Sequence, residues 1–309
     1  MRLLHATTFE LHDFIGSKVP PYAILSHRWE DDEVTFYDVH NEVHRKKKGF
    51  TKIRNCCLQA CSDGFEYVWI DTCCIDKSSS AELTEAINSM FKWYEGSSVC
   101  YAYLSDFKAS QWFKRGWTLQ ELLAPDKVWF YGQLDGEWFP LGEKSHLTSY
   151  ISDCTSIDTD ILRGRDLRAS SVAARMSWAA NRKTTREEDM AYCLLGLFDV
   201  NMPLLYGEGK KAFIRLQEEI MKNSDDQSLF MWDMDTAYTT SLRSGLLAST
   251  PLQFDLYGVK ITRLTKHEGV HYARDGSRHR SPFKIRSDEL AKAVRKTIYI
   301  RQDPDRSWD

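Results

Sequence analysis

Between Tyr22 and about Tyr131 the chain alternates short apolar runs with longer amphipathic stretches, and that rhythm admits few folds. The runs are 22–26, 67–70, 99–104 and 128–131. Each is apolar on both alternating positions, as strands covered on two faces must be. Strands of that kind belong to a parallel sheet, in which helical crossovers lie on both sides. The stretches between the runs supply those helices. One is expected near 51–62. In the next, Leu83, Ile87, Met90, Phe91 and Tyr94 recur at helical spacing, and Ser79 with Glu82 can form a capping box at its start. A third, brief helix runs from Trp117 to Ala124 and is stopped by Pro125.

The polar stretch 31–50 ends in Arg45, Lys46, Lys47 and Lys48, and reads as a solvated loop or exposed helix, with a phosphate-binding patch as the alternative. From 170 to 222 the pattern is helical: Thr185 and Glu188 offer a second capping box, and Gly207 and Gly209 introduce a last amphipathic helix. Beyond Met234 the composition shifts to Thr, Ser and Gly with β-favouring runs at 257–262 and 297–300, which suggests a small β-containing appendage.

With 309 residues, 42% of them apolar, the chain can bury a large core. A net charge of −3 supplies no basic field for nucleic acid. No apolar run reaches the roughly 18 residues needed to cross a bilayer, and the first residues lack a signal core, so a cytoplasmic protein without a membrane partner is expected. The eight cysteines include two adjacent pairs rather than zinc-type spaced pairs; they are expected to be reduced and buried, with no metal.

In an open parallel sheet, ligands bind beyond the carboxyl ends of the strands. After the first run those positions are Ser26, His27, Arg28, Trp29 and Glu30; after the second, Asp71, Cys73, Cys74 and Asp76; after the third, Ser105, Asp106 and then the short helix. On that helix Leu119, Leu122 and Leu123 form one stripe, so Trp117 and Glu121 share the opposite side and Glu121 is expected to point away from the core. It is either a solvated glutamate or a site carboxylate beside a tryptophan that can stack on a flat ring. Asp71 either orients a ligand hydroxyl or caps its own loop. His27 is a base, a ligand contact or hydrogen-bonded scaffolding. Arg175, Arg182, Lys183 and Arg186 lie close in sequence to Glu187, Glu188 and Asp189, so ion pairing and phosphate binding are both open. Walker A, GxGxxG, GxSxG and HExxH patterns are absent, which argues against kinase, P-loop, hydrolase and zincin chemistry.

The segments YAILSHRWEDDEVTF (22–36), YVWIDTCCIDK (67–77), AELTEAINSMFKWY (81–94), RGWTLQELLAP (115–125) and EDMAYCLLGLFDVNMPLLYGEGKKAF (188–213) resemble, in order, the successive blocks of the fungal HET (heterokaryon incompatibility) domain. The resemblance runs from about 20 to 232. It implies a HET domain over 1–234, made of an α/β core (about 20–150) and a helical extension (about 151–234), followed by the appendage over 235–309. HET domains are in turn distantly similar to TIR domains: YAILSHRWEDDEVTF is similar to their first-strand block, and WTLQEL (117–122) to their tryptophan-x-x-x-glutamate-leucine helix. That similarity implies an α/β fold with a TIR-like (flavodoxin-like) central parallel sheet flanked by helices; the α-rich C-terminal half, which has no TIR counterpart, and the small appendage complete the expected architecture. Thr118 stands where those helices commonly carry cysteine, and the polar stretch at 31–50 is longer than theirs.

Some TIR domains hydrolyse NAD with that glutamate, which implies Glu121 as the catalytic residue. His27, Arg28, Trp29, Asp71, Cys73, Arg115 and Trp117 are the implied substrate contacts, and NAD or a related dinucleotide is the substrate, with no further cofactor. The HET resemblance implies a cell-death effector switched by homo-oligomerisation or by a regulatory protein partner. Two other readings stay open: a non-catalytic module that signals by assembly, and a reactive-thiol sensor at Cys73 and Cys74.

Overall fold

A computed structural model describes residues 1–41, 43–105, 111–232 and 246–255. Its centre is a seven-stranded mixed sheet. The strands are β1 (Arg2–His5), β2 (Leu11–Asp13), β3 (Tyr22–His27), β4 (Tyr67–Trp69), β5 (Val99–Tyr103), β6 (Val128–Leu134) and β7 (Glu137–Glu143), in the spatial order β2-β1-β4-β3-β5-β6-β7. The four expected runs become β3 to β6, and these pair in parallel. Every residue of β3 and β5 is buried, which is why those runs are apolar on both faces.

Three strands are additional to the expected four. β1 and β2 extend the sheet beyond β4 with antiparallel pairing. They are four and three residues long, too short for alternation to register. β7 pairs antiparallel with β6 and contains Pro140 and Gly142, residues that weaken a strand reading; as the outer strand it needs no donor from Pro140 on its free side. A usable signal was present in the Asp135-Gly136 pair between β6 and β7. Both residues have positive φ, 50° and 85°, as a two-residue type I′ hairpin turn requires.

Helices α1 (Phe36–His40) and α2 (Phe50–Ser62) lie between β3 and β4, α3 (Ser80–Glu95) between β4 and β5, and α4 (Thr118–Leu123) between β5 and β6. The C-terminal part is helical as expected: α5 (Thr148–Thr155), α6 (Thr159–Leu162), α7 (Val172–Ser177), α8 (Asp189–Tyr192) and α9 (Lys211–Asn223). A 3-10 turn at Gly196–Phe198 docks on α3 so closely that a Cβ at Gly196 would meet Phe91 Cβ at 2.0 Å. Residues 246–255 join the helical part: Gln217 exchanges two hydrogen bonds with the backbone of Ala248, and Asn181 donates to Asp255. Most of the expected appendage, including 257–262 and 297–300, lies outside the described residues.

Two capping expectations need correction. Ser79 does cap α3 by accepting from the Glu82 amide, but the Glu82 carboxylate turns to Arg2 and to the Asp76 amide instead of back to Ser79. Glu188 is itself the N-cap residue of α8, and its carboxylate accepts from the Gly207 and Gly209 amides. In both cases a tertiary donor outcompetes the local one. A full capping box forms in the polar stretch at Thr35 and Asp38, which start α1. That stretch is not simply solvated: Val34, Val39 and His44 are buried, and Lys47 pairs with Asp32 and Asp38.

The short helix α4 ends on a buried cation. Lys144, just after β7, donates from Nζ to the carbonyls of Leu122 (3.1 Å) and Pro125 (2.8 Å), groups with no intrahelical partner. Replacing Lys144 with Met keeps the stem and orphans both carbonyls. The expected cost is about 1–3 kcal/mol, read as a lower midpoint in urea with an unchanged slope.

Candidate functional site

The crossover from β4 to β5 passes over β3, so the connections leaving β3 and β5 diverge on opposite sides. Such a reversal opens a crevice at the carboxyl ends of the two strands. Ser26 and His27 end β3 there, in register with Ala102 and Tyr103 of β5. On the other side Ile24 is level with Trp69, so two residues further along Asp71 comes level with Ser26.

Glu121 does not point into solvent. It is 7% exposed, because α4 is packed on more than one side and keeps no solvated face. Its Oε2 accepts a short hydrogen bond from the Ser26 hydroxyl. Trp112 Nε1 donates to the same hydroxyl at 2.8 Å. An indole N–H can only donate, so it occupies a lone pair of Ser26 and leaves the hydroxyl proton for Glu121. Burial pushes the Glu121 carboxyl up to about 8; the Ser26 bond opposes that rise, the nearby Asp71 adds to it, and Arg115 and Arg182 oppose it. Among the described residues no cation lies within ion-pair distance of Glu121, so the charge of its ionised form is not neutralised by a direct partner.

Trp117 parts company with Glu121. It is half-buried, and its side chain lies beside Asp189 of the helical part while Glu121 bonds β3. The helical part grips this segment further. Arg182 donates to the carbonyls of Trp178 (3.1 Å) and Arg115 (3.0 Å) and to the Thr118 hydroxyl (3.1 Å). The Lys183 amide donates to the Lys114 carbonyl, and the Gly116 amide to the Lys183 carbonyl. Enclosure brings the Arg182 guanidinium down to about 10. The basic residues of this region therefore act largely on carbonyls and rings: Arg175 donates to the Leu197 carbonyl and covers Phe198, and Arg186 covers Tyr206.

Around the tip of β3 a second group assembles. His27 is 5% exposed, with Nδ1 3.9 Å from Asp71 Oδ1 and Nε2 3.8 Å from Glu33 Oε2. Its Nδ1 has no hydrogen-bond partner among the described residues, and burial pulls its pKa below the usual value, so it is neutral at neutral pH. Asp71 Oδ2 accepts from the Trp29 indole at 2.8 Å, so this carboxylate holds a tryptophan rather than capping its loop. Trp29 is 42% exposed, and the Lys77 ammonium lies 3.6 Å from its ring centroid. Arg28 is exposed and Arg115 half-buried. Cys73 is fully enclosed, with Sγ 3.9 Å from the Ile70 carbonyl; contact with Cys74 and burial raise its thiol well above the usual range, and a protonated, sealed thiol is inert.

Sequence reading thus placed Ser26, His27, Trp29, Asp71 and the Glu121 helix at one edge, and the structure brings them there. It missed Trp112 and Lys77. Trp112 lies in a 3-10 turn (Gln111–Lys114) with no periodic signature, and an unpaired lysine looks like any other lysine in a string of letters. Among the described residues no cluster of three or more His, Cys, Asp or Glu is placed to hold a metal, and no helix is long and apolar enough to cross a membrane.

Comparison with known proteins gives three findings. Residues 22–111 match the family described as heterokaryon incompatibility protein (HET), and residues 211–301 match a domain of unknown function, DUF8212. His27, Arg28, Trp29, Asp71 and Cys73 fall inside the first match; Arg115, Trp117 and Glu121 lie beyond it. The chain is 48% identical over 231 residues to the vegetative incompatibility protein HET-E-1 of Podospora anserina, covering 68% of this chain and 17% of that relative. No solved structure matches. The chain carries a HET domain and is a homologue of a fungal heterokaryon incompatibility protein.

Proposed function

We propose that the chain is a cell-death effector of heterokaryon incompatibility that acts by hydrolysing NAD at the bond between nicotinamide and ribose. The observation that carries the reading is the setting of Glu121: a buried carboxyl hydrogen-bonded to Ser26 near the carboxyl end of β3, oriented by the Ser26 and Trp112 relay and without an ion-pair partner among the described residues. The order of the parallel strands, β4-β3-β5-β6, is the beginning of the flavodoxin-like 2-1-3-4-5 order and supports a TIR-like core.

The chemistry suits a single carboxylate. Cleavage sends the C–N bonding pair to nicotinamide, which leaves neutral and needs no general acid, unlike an ordinary glycoside with its two carboxylates. Water then adds to the ribosyl cation and loses a proton, giving ADP-ribose. Glu121, ionised, stabilises the oxocarbenium-like transition state, and Trp29 offers a face on which a base can stack. The cationic nicotinamide ring favours the ionised form of Glu121 on binding, and with no cation within ion-pair distance among the described residues that negative charge is available to the developing cation.

A second reading has its own support. Ser26 and Glu121 form a buried bond of the kind that maintains folds, which suits a non-catalytic module that signals by homo-oligomerisation and partner binding. The discriminating experiment follows nicotinamide release from NAD by concentrated, assembled protein. Release above the no-protein control is expected, and none from assembled protein would favour the scaffold.

A further inference from the structure

The cations near the strand tips of the candidate site, Lys52, Arg182, Arg28 and Lys77 among them, differ in what holds them. Lys52 is buried against Glu33 and Glu30 and also donates to the Arg28 carbonyl. Arg182 is occupied by carbonyls and a hydroxyl. Arg28 is exposed at the tip of β3. Lys77, on the loop after β4, rests its ammonium 3.6 Å from the Trp29 ring centroid, and among the described residues no carboxylate lies within ion-pair distance of it. Asp71, the acid nearest at hand, is bonded to the Trp29 indole.

The arrangement therefore combines an exposed aromatic face, an aspartate that fixes the plane of that ring, and an ammonium whose close contact is the ring, with Asp71 and Glu33 attracting it from beyond ion-pair distance. A cation–π contact at an exposed site is weaker than a charge-assisted bond to phosphate, so an arriving anion displaces the ammonium from the indole readily. An aromatic wall beside a free cation matches a ligand with a flat base next to a charged phosphate.

We propose that Lys77 is a phosphate-binding residue of this edge: it receives the diphosphate of a nucleotide whose base stacks on Trp29, with Arg28 as a neighbouring charge. The inference rests on the reading of the ligand as a dinucleotide and adds where its diphosphate is held. Lys77 serves here as a point charge, the usual role of lysine toward phosphate.

The test is a calorimetric titration of the full chain with ADP and, separately, adenosine. The wild type is expected to bind ADP at least about tenfold more tightly than adenosine. Lys77→Gln is expected to remove that preference without changing adenosine affinity, Lys77→Arg to retain it, and Trp29→Ala to weaken both ligands. No measurable binding of ADP, equal affinity of the wild type for the two ligands, or an ADP preference that survives in Lys77→Gln would overturn the proposal. ADP has no nicotinamide, so the outcome is independent of bond cleavage. A Lys77-dependent preference with no nicotinamide release would remove hydrolysis and keep the phosphate site, and release without the preference would do the reverse.

Discussion

Glu121→Gln is expected to lower the rate of nicotinamide release from NAD by about 10² to 10³ while making the protein more stable at alkaline pH. On the proposed mechanism the rate loss follows from removing the negative charge that stabilises the developing ribosyl cation, an electrostatic contribution of the size lost with one preorganised transition-state partner. Gln is nearly isosteric with the protonated carboxyl and still accepts from Ser26, so the fold is preserved and the loss falls on kcat. Undiminished release in the variant would remove Glu121 from the mechanism.

The stability change has a definite sign. In the folded protein the Glu121 carboxyl titrates near 8, well above its ordinary value of 4.5, because burial penalises the anion. The native state therefore binds this proton more tightly than the unfolded chain does. The corresponding stabilisation is complete below about pH 4.5 and is lost as pH rises through about 8. Gln cannot ionise, so the variant escapes that loss and, at pH 9, should exceed the wild type by on the order of a few kcal/mol in urea unfolding. Below pH 4 the two should be equal within ordinary mutational scatter. Under the proposed mechanism, which requires ionised Glu121, the same titration is expected to give kcat/KM of the wild type a rising limb near pH 8.

How much of this was readable in the letters depends on the element. The four central strands were legible because burial on both faces leaves a run with no polar alternation, as in 22–26 and 99–104. β1, with only Leu3 and Leu4 buried, has too little pattern to separate from noise, and β7 carries Pro140 and Gly142 that only an outer strand tolerates. The capping expectations failed for a different reason. Ser79 and Glu82 have the right spacing, but Arg2, 80 positions away from Glu82, offers that carboxylate a charge-assisted bond that the local amide cannot match.

The candidate site shows the same division. The strand order places whatever follows β3 and β4 at one edge, so His27, Trp29 and Asp71 could be grouped from topology alone. The orientation of Glu121 could not. Helical periodicity put it opposite the leucines and hence in solvent, an inference that holds only for a helix with one packed face. Here Arg182 and Lys183 bring the helical part onto the segment leading into α4, and the face expected to be wet is enclosed. Proximity in sequence left ion pairing of Arg182 with Glu187 to Asp189 and phosphate binding both open, and its donors go instead to Trp178, Arg115 and Thr118.

Trp112 gives the second large expectation, because fold and site depend on the same ring. It is 1% exposed and meets Phe113 and Phe130 edge to face, with centroids at 5.0 and 5.8 Å. Trp112→Ala should cost about 3–5 kcal/mol, the transfer and cavity terms of a large buried aromatic together. Trp112→Phe separates packing from the relay: most of the ring remains, while Ser26 loses the N–H that occupies its lone pair. The freed hydroxyl can then turn from Glu121 toward other acceptors. In the Phe variant, unfolding should show a loss of only about 1–2 kcal/mol. With one bond to the anion weakened, the rising limb of its pH–activity profile should move to higher pH. A Phe variant that keeps the wild-type pH profile would show that the Ser26 hydroxyl is oriented without the indole, leaving Trp112 as packing alone.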